Sequence, residues 1–469
     1  MKNALCLLVL SLLAGVAPAA ERLNVLLIVS DDLNKNVGCY GHPVVKSPNL
    51  DRLAGRGVRF ERAYCNYPVC NPSRASFLSG RRPDSTGVVD NVTPTRAVLK
   101  DAVMLPEHFR NHGYRTVKVG KIFHTGDAFE DPRSWDVDIR EDATAKNPPK
   151  AQILRTCGER GIVLKAKDED TWDGFVARKA VELMEQAVSE PRPFFVAAGF
   201  RRPHAPYIAP EKYFALYDAA QLKPRLGPPG HTTNIPPLAL TYKNGDPAFP
   251  TDKAGETIAA YYASISFMDA QVGVLLAALD RLRLWERTAV VFVSDHGYHL
   301  GEHGGLWHKM TLFEEGTGTP LIVVAPGKKS GVASPRLVEL VDIYPTLADL
   351  CGLPSPAKLE GTSFVPLLED PLRSWKKAVL TVVARRRSSR PDAAVGTVMA
   401  TGALDPKWLG RTVRTESWRY TEWPDGTVEL YNDRDDPFEY VNLASASDSA
   451  PIAADLKRLL RGGWKAALP

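Results

Sequence analysis

Cys70 opens the run C-N-P-S-R-A-S-F-L-S-G-R, with Pro72, Ser73 and Arg74 close behind it. Pro72 holds the backbone extended or turned. Ser73 has an N-cap side chain, so the spacing predicts a helix that starts at Arg74. Cys70 then stands just ahead of a helix N-terminus, where unpaired N–H groups and the helix dipole favour an anion. A cysteine beside an arginine in such a turn suits chemistry on an anion. A lone cysteine there would more often be a buried residue before an ordinary helix. The length of the run is what argues for a site.

Four other clusters carry groups of matching chemistry. Asp31 and Asp32 end the apolar stretch 23–30. One Asp would most often cap a turn, but two adjacent ones need a charge partner, and a hard cation held through oxygens is the simplest. Lys121 and His124 follow the apolar stretch 114–119, and His204 follows 193–200 in the run R-R-P-H-A-P-Y. Asp295-His296-Gly297 follows 288–294, with Lys309 beyond a glycine-rich turn. Singly, His204 reads as structural and Lys309 as solvated. They share one site only if the strand ends face the same way, which a parallel sheet provides.

The elements fit that requirement. Short β-branched runs alternate with helical patterns at 49–55, 105–112, 171–188 and 256–284, which predicts an α/β sandwich with a largely parallel sheet. Ser73 to Leu78, Val58 to Phe60 and 320–325 add a helix start and two strands. Residues 127–167 are polar and resist assignment, and 221–250 read as a long Pro- and Gly-rich surface loop. Composition shifts after Leu368. A strand at 377–383, a basic surface run at 385–390, a hairpin about Pro424-Asp425-Gly426 and a closing helix at 451–460 form a smaller C-terminal α+β subdomain.

The chain has 469 residues, 44% hydrophobic, enough for one large domain plus a smaller one. A net charge of +5 is small for this size and argues against a general nucleic-acid or membrane-surface binder. Lys2, the apolar run 7–14 and Ala17-Pro18-Ala19 form a cleavable signal peptide over 1–20. No later stretch reads as membrane-inserted, so export to the periplasm, in a bacterium, or outside the cell is expected. The catalytic domain spans 21–385 and the C-terminal subdomain 386–469. Cys39, Cys65, Cys70, Cys157 and Cys351 remain after cleavage, an odd count that leaves at least one unpaired thiol.

The runs V-S-D-D-L, C-N-P-S-R-A-S-F-L-S-G-R, G-K-I-F-H-T-G, R-R-P-H-A-P-Y, S-D-H-G-Y-H-L-G-E-H-G and E-L-Y-N-D-R-D-D-P-F-E-Y-V-N-L span nearly the whole chain. Together they resemble the type I sulfatases, and the iduronate-2-sulfatase-like branch most closely. The resemblance implies an alkaline-phosphatase-like α/β/α fold with a large mixed, mostly parallel sheet. It implies that Cys70 is oxidised to formylglycine by a formylglycine-generating enzyme or sulfatase maturase. Asp31, Asp32, Asp295 and His296, with residue 70, would hold calcium. Arg74 and Lys121 would stabilise residue 70 and the sulfate, while His124, His204 and Lys309 line the same pocket.

The chemistry that follows is consistent with these residue types. Calcium with Arg74, Lys121 and Lys309 neutralises a sulfate ester. One gem-diol oxygen attacks sulfur, His204 or Lys309 protonates the leaving oxygen, and the second hydroxyl, deprotonated by His124, expels sulfate. The expected substrate is a sulfated saccharide attacked at a chain end, with a 2-O-sulfated hexuronate favoured. Arg201, Arg202, Tyr298 and His299 are expected at the rim. Two alternatives are a formylglycine-dependent phosphonate or phosphate ester hydrolase, and a non-catalytic glycan-binding protein on the same fold.

Overall fold

In the computed structural model the described residues are 22–140, 151–155, 160–240, 253–385 and 408–469. Residues 1–20, expected to be a signal peptide, Cys157, part of the 127–167 and 221–250 stretches, and residues 386–390 of the basic run lie outside them.

The strands in chain order begin with β1 (Asn24–Asp31), β2 (Val58–Tyr64), β3 (Arg115–Gly120) and β4 (Val137–Ile139). A short pair, β5 (Ala151–Arg155) and β6 (Arg160–Leu164), precedes β7 (Phe194–Pro203) and β8 (Tyr207–Pro210). Then come β9 (Thr288–Ser294), β10 (His299–Leu300), β11 (Trp307–His308), β12 (Gly318–Val324) and β13 (Val332–Glu339). The central sheet has eight strands in the order β13-β2-β12-β9-β1-β7-β3-β4. All its neighbours pair in parallel except at β12, which runs antiparallel to both β2 and β9. The 320–325 strand is therefore present but reversed. β13 was not anticipated, because Pro335 and Arg336 interrupt its apolar pattern.

The sequence of β1 explains the layering. Successive strand side chains face opposite ways. Leu26 and Ile28 join a core with the Trp172–Val188 and Ala254–Arg281 helices. Val25, Leu27 and Val29 join the opposite core, with Phe77, Phe109 and Leu347. Both faces are covered, which is why the strand reads as a continuous apolar run.

A second sheet holds β14 (Val379–Ala384), β15 (Leu409–Arg414), β16 (Trp418–Glu422) and β17 (Val428–Asn432), all antiparallel. The Ala450–Ala466 helix packs on it through Leu456 and Leu460. The hairpin about Pro424-Asp425-Gly426 forms between β16 and β17. This sheet begins at Val379, ahead of residue 386. Arg385 is not on the surface: its guanidinium is buried, Nε donates to Leu238 O at 3.1 Å, and burial pushes its pKa down to about 10.

Candidate active site

The five predicted clusters converge at the carboxyl ends of β1, β3, β7 and β9. Adjacent residues of a strand would point to opposite faces, yet Asp31 and Asp32 both reach the site. Asp32 sits at φ 63°, in the left-handed region, and this turn breaks the alternation. Tyr261 fixes the turn by donating its hydroxyl hydrogen to Asp32 O at 2.7 Å. Neither Tyr261 nor Asp173, which accepts the N–H groups of Arg201 and Arg202, was marked by the sequence. Each lies inside an ordinary helical pattern and acquires its role only through long-range packing.

The helix holding Cys70 spans Cys70–Ser79, so it starts earlier than expected. Ser73 does not cap it; its hydroxyl donates across the site to Asp295 O. Cys70 is consequently the first helical residue, and its side chain lies at the positive end of the helix. Gly80 ends the helix at φ 65°, a conformation glycine adopts without strain.

Cys70 Sγ lies 3.4 Å from His296 Nε2 and 3.3 Å from Lys309 Nζ. Lys309 also pairs with Asp32, and Lys121 with Asp31. Arg74 is wholly buried: Nε donates to Asp295 Oδ2 at 2.9 Å, and Nη1 to the carbonyls of Lys121 and Ile122 at 2.7 and 3.0 Å. Asp295 Oδ1 accepts from the N–H groups of Asp32 and His296 at 3.2 and 3.1 Å. His204 Nε2 lies 3.9 Å from Asp32 Oδ2. His124 borders the same cavity as Lys121, with Nδ1 buried and without a hydrogen-bond partner.

Arg202 is buried and donates to the carbonyls of His204 and Pro206, and Tyr298 and His299 are fully buried. These three do not form a rim. Of the four rim residues expected, Arg201 alone lines the open cavity beside the site.

The electrostatics follow from burial and neighbours. Burial alone would raise Asp31, but Lys121, His204 and Arg74 outweigh it and hold its carboxyl well below the usual range. Burial is likewise outweighed at Asp32, where Lys309, His204 and His296 bring the value to about 2. His204 is pushed down by burial and raised more by Asp32 and Asp31, so its pKa lies above the ordinary histidine value. His124 is driven the other way: burial, Lys121 and Arg74 lower it to about 3.

A divalent cation fits these residues. Ligand atoms of Asp31, Cys70, Asp295 and His296 all lie within 4.8 Å of one another, and Asp31 Oδ1 is buried without a hydrogen-bond partner. The two carboxylates of this group suit a hard, oxygen-seeking ion, and Asp32 stands in a neighbouring group with Cys70 and His204. The imidazole of His296 is the odd ligand for such an ion, and its Nε2 faces residue 70 as closely as it faces the carboxylates.

A sequence profile of the sulfatase family, described as Sulfatase, matches residues 23–353. The chain is 32% identical to mouse (Mus musculus) iduronate 2-sulfatase, over 86% of this chain and 85% of that one. It is 31% identical to human (Homo sapiens) iduronate 2-sulfatase, over 92% and 93%. Among solved structures it superposes on a 2-O GAG sulfatase with TM-score 0.71 and 25% identity, over 94% of this chain and 92% of that one. The phosphonate monoester hydrolase of Agrobacterium radiobacter shares the fold with TM-score 0.78 at 23% identity, over 94% and 96%. The chain belongs to the sulfatase family of sulfuric ester hydrolases.

Proposed function

We propose that this protein hydrolyses sulfate esters of an acidic saccharide, acting at a chain end, with a 2-O-sulfated hexuronate as the favoured unit. The observation that supports this most is the convergence of Cys70, Lys309, Arg74, Lys121 and the two histidines His124 and His204 around three buried carboxylates. The iduronate 2-sulfatase relatives and the 2-O GAG sulfatase structure point to the 2-O-sulfated uronate.

Sγ of the encoded Cys70 stands where the oxygens of a hydrated formylglycine would lie. That modification, made by a formylglycine-generating enzyme or maturase, supplies two geminal hydroxyls at residue 70, one for attack and one for release. Calcium held by Asp31, Asp32, Asp295 and His296 would supply Lewis acidity beside them.

The chain's own residues do the rest. Arg74 cannot swing away, because Asp295 and two carbonyls hold it, so it offers a fixed positive charge. Lys121, paired with Asp31, and Lys309, paired with Asp32 and 3.3 Å from Cys70 Sγ, add two further positive charges. His204, whose pKa Asp32 and Asp31 raise above the ordinary histidine value, is the group suited to give the leaving oxygen its proton. His124 is neutral near pH 7, the form a general base needs, while Lys121 and Arg74 oppose the charge it would carry after taking a proton from residue 70. The leader over residues 1–20 fits an exported enzyme acting on extracellular or periplasmic glycans.

The test is sulfate release by matured protein across defined sulfated saccharides, with a phosphonate monoester alongside. Turnover of a 2-O-sulfated uronate disaccharide is expected. Faster cleavage of the phosphonate would move the assignment to the phosphonate hydrolases.

A further inference from the structure

Tyr298 belongs at the rim on the sequence reading, yet its side chain is wholly buried, two residues past His296. Its hydroxyl lies 2.8 Å from that of Tyr207 and 2.9 Å from His308 Nδ1. Its ring stacks on Tyr261, with centroids 5.2 Å apart and planes 14° from parallel. Its carbonyl accepts from Asn34 Nδ2 at 3.1 Å. Each partner serves a different part of the site. Tyr261 holds the Asp32 turn, Tyr207 lies three residues past His204, and His308 directly precedes Lys309. One side chain therefore reaches the neighbours of Asp32, His204 and Lys309.

Lys309 depends on these contacts most. Its ammonium has to stay 3.3 Å from Cys70 Sγ while it pairs with Asp32, yet it hangs on a flexible four-carbon stem. The backbone must set where that stem begins. β10 and β11 pair only His299 with His308 and Leu300 with Trp307, too short a ladder to fix a turn alone. Beyond it, His308 and Met310 both sit at φ 78°, in the left-handed region that side chains rarely adopt. Lys309 is thus flanked by two strained residues, and such residues persist only where their surroundings hold them. On one side Met310 N–H donates to Pro68 O at 3.1 Å, two residues before Cys70. On the other the Tyr298 hydroxyl meets the His308 ring, and Trp307 Nε1 donates to the Tyr207 hydroxyl at 3.0 Å.

We propose that Tyr298, acting through His308, is a positioning residue for Lys309: the bond between its hydroxyl and the His308 imidazole fixes the strained turn that sets the ammonium against residue 70 and Asp32. This role rests on the sulfatase reading above. It adds to that reading a buried tyrosine that takes no part in the proton transfers assigned to His124 and His204.

The test uses full-length matured enzyme carrying Tyr298→Phe, His308→Ala, His308→Asn, Lys309→Ala, and Tyr298→Phe combined with Lys309→Ala. Mass spectrometry measures the aldehyde content at residue 70, and rates are scaled to it. The substrates are 4-nitrophenyl sulfate and a disaccharide with a 2-O-sulfated uronate. Tyr298→Phe keeps the stacked ring and removes only the hydroxyl. It is expected to lower kcat on the order of tenfold, as a misplaced group at a reacting centre does, with KM near wild type. His308→Ala should match it. His308→Asn should recover most of the rate, because its amide can meet the hydroxyl and asparagine tolerates the left-handed backbone. In the Lys309→Ala background Tyr298→Phe should cost nothing further. An unchanged kcat, or an equal loss with and without Lys309, would overturn the proposal. The two His308 variants carry the same comparison if Tyr298→Phe does not fold. If wild-type enzyme releases sulfate from neither substrate, the sulfatase reading fails separately, and crystal structures of wild type and variant decide the positioning role. Lys309 Nζ drawn away from residue 70 in the variant supports it, and an unmoved Lys309 rejects it.

Discussion

Lys309 Nζ lies 3.3 Å from Cys70 Sγ while it pairs with Asp32. One ammonium thus bridges Cys70 and a carboxylate of the candidate metal site. Burial opposes its charge, but Asp32, Cys70 and Asp31 raise its pKa above the ordinary lysine value, so it stays protonated. Lys309→Ala is expected to lower kcat about 10²-fold or more, the usual contribution of a positioned charge at a reacting centre. Steady-state kinetics on any turned-over sulfate ester measures it. A near-normal rate would reduce Lys309 to a counter-ion for Asp32.

Cys70 is the next point of test. It is buried at the first turn of its helix, within reach of His296 and Lys309, and it has no disulfide partner. Mass spectrometry of the peptide spanning residue 70 should find an aldehyde in place of the thiol in active protein. Cys70→Ser should be inactive when made in a host that modifies only cysteine. A fully active preparation carrying an intact thiol would refute the mechanism.

Much of this site could be read before the fold was known, because its groups sit where apolar runs stop. Asp31-Asp32, Lys121 and Asp295-His296 each follow a buried strand, and a parallel sheet brings such ends together. What the sequence concealed was long-range. Ser73 looked like an N-cap because local pattern favours it, yet Asp295 O takes its hydroxyl instead. Arg385 looked solvated within a basic run, yet Leu238 O and the ring of Trp423 hold it inside. Gly120 shows the same limit. It reads as a strand end, whereas a Cβ there would meet Gly199 O at 2.2 Å, so only glycine lets β3 and β7 approach closely enough to place Lys121.

Asp295 links the candidate metal site to a buried guanidinium. Its Oδ2 holds Arg74, and its Oδ1 organises the N–H groups of Asp32 and His296. Asp295→Ala should abolish calcium binding and activity together. Elemental analysis of purified protein and a kinetic assay measure the two. Active wild-type enzyme with no divalent metal would contradict the proposed calcium site. The same substitution leaves a buried guanidinium short of a partner, so a stability loss of about 3 kcal/mol is also expected by chemical denaturation.

Asp269 offers a test of the scaffold that is separate from the chemistry. It is buried on the Ala254–Arg281 helix and accepts from Leu50 N and Asn49 Nδ2, both at 2.8 Å, at the start of the Pro48–Ala54 helix. Burial outweighs these bonds and pushes its carboxyl from 3.8 up to about 6. The folded state therefore binds the proton more tightly than the unfolded chain does. Its contribution to stability is full below about pH 3.8 and is lost as pH rises through about 6. Asp269→Asn cannot titrate, so the difference in melting temperature between wild type and variant should change between pH 3.8 and about 6, with wild type gaining toward the acid end. A difference constant over that window would show that the carboxyl stays ionised in the fold, and that its bonds to the Pro48–Ala54 helix outweigh its burial.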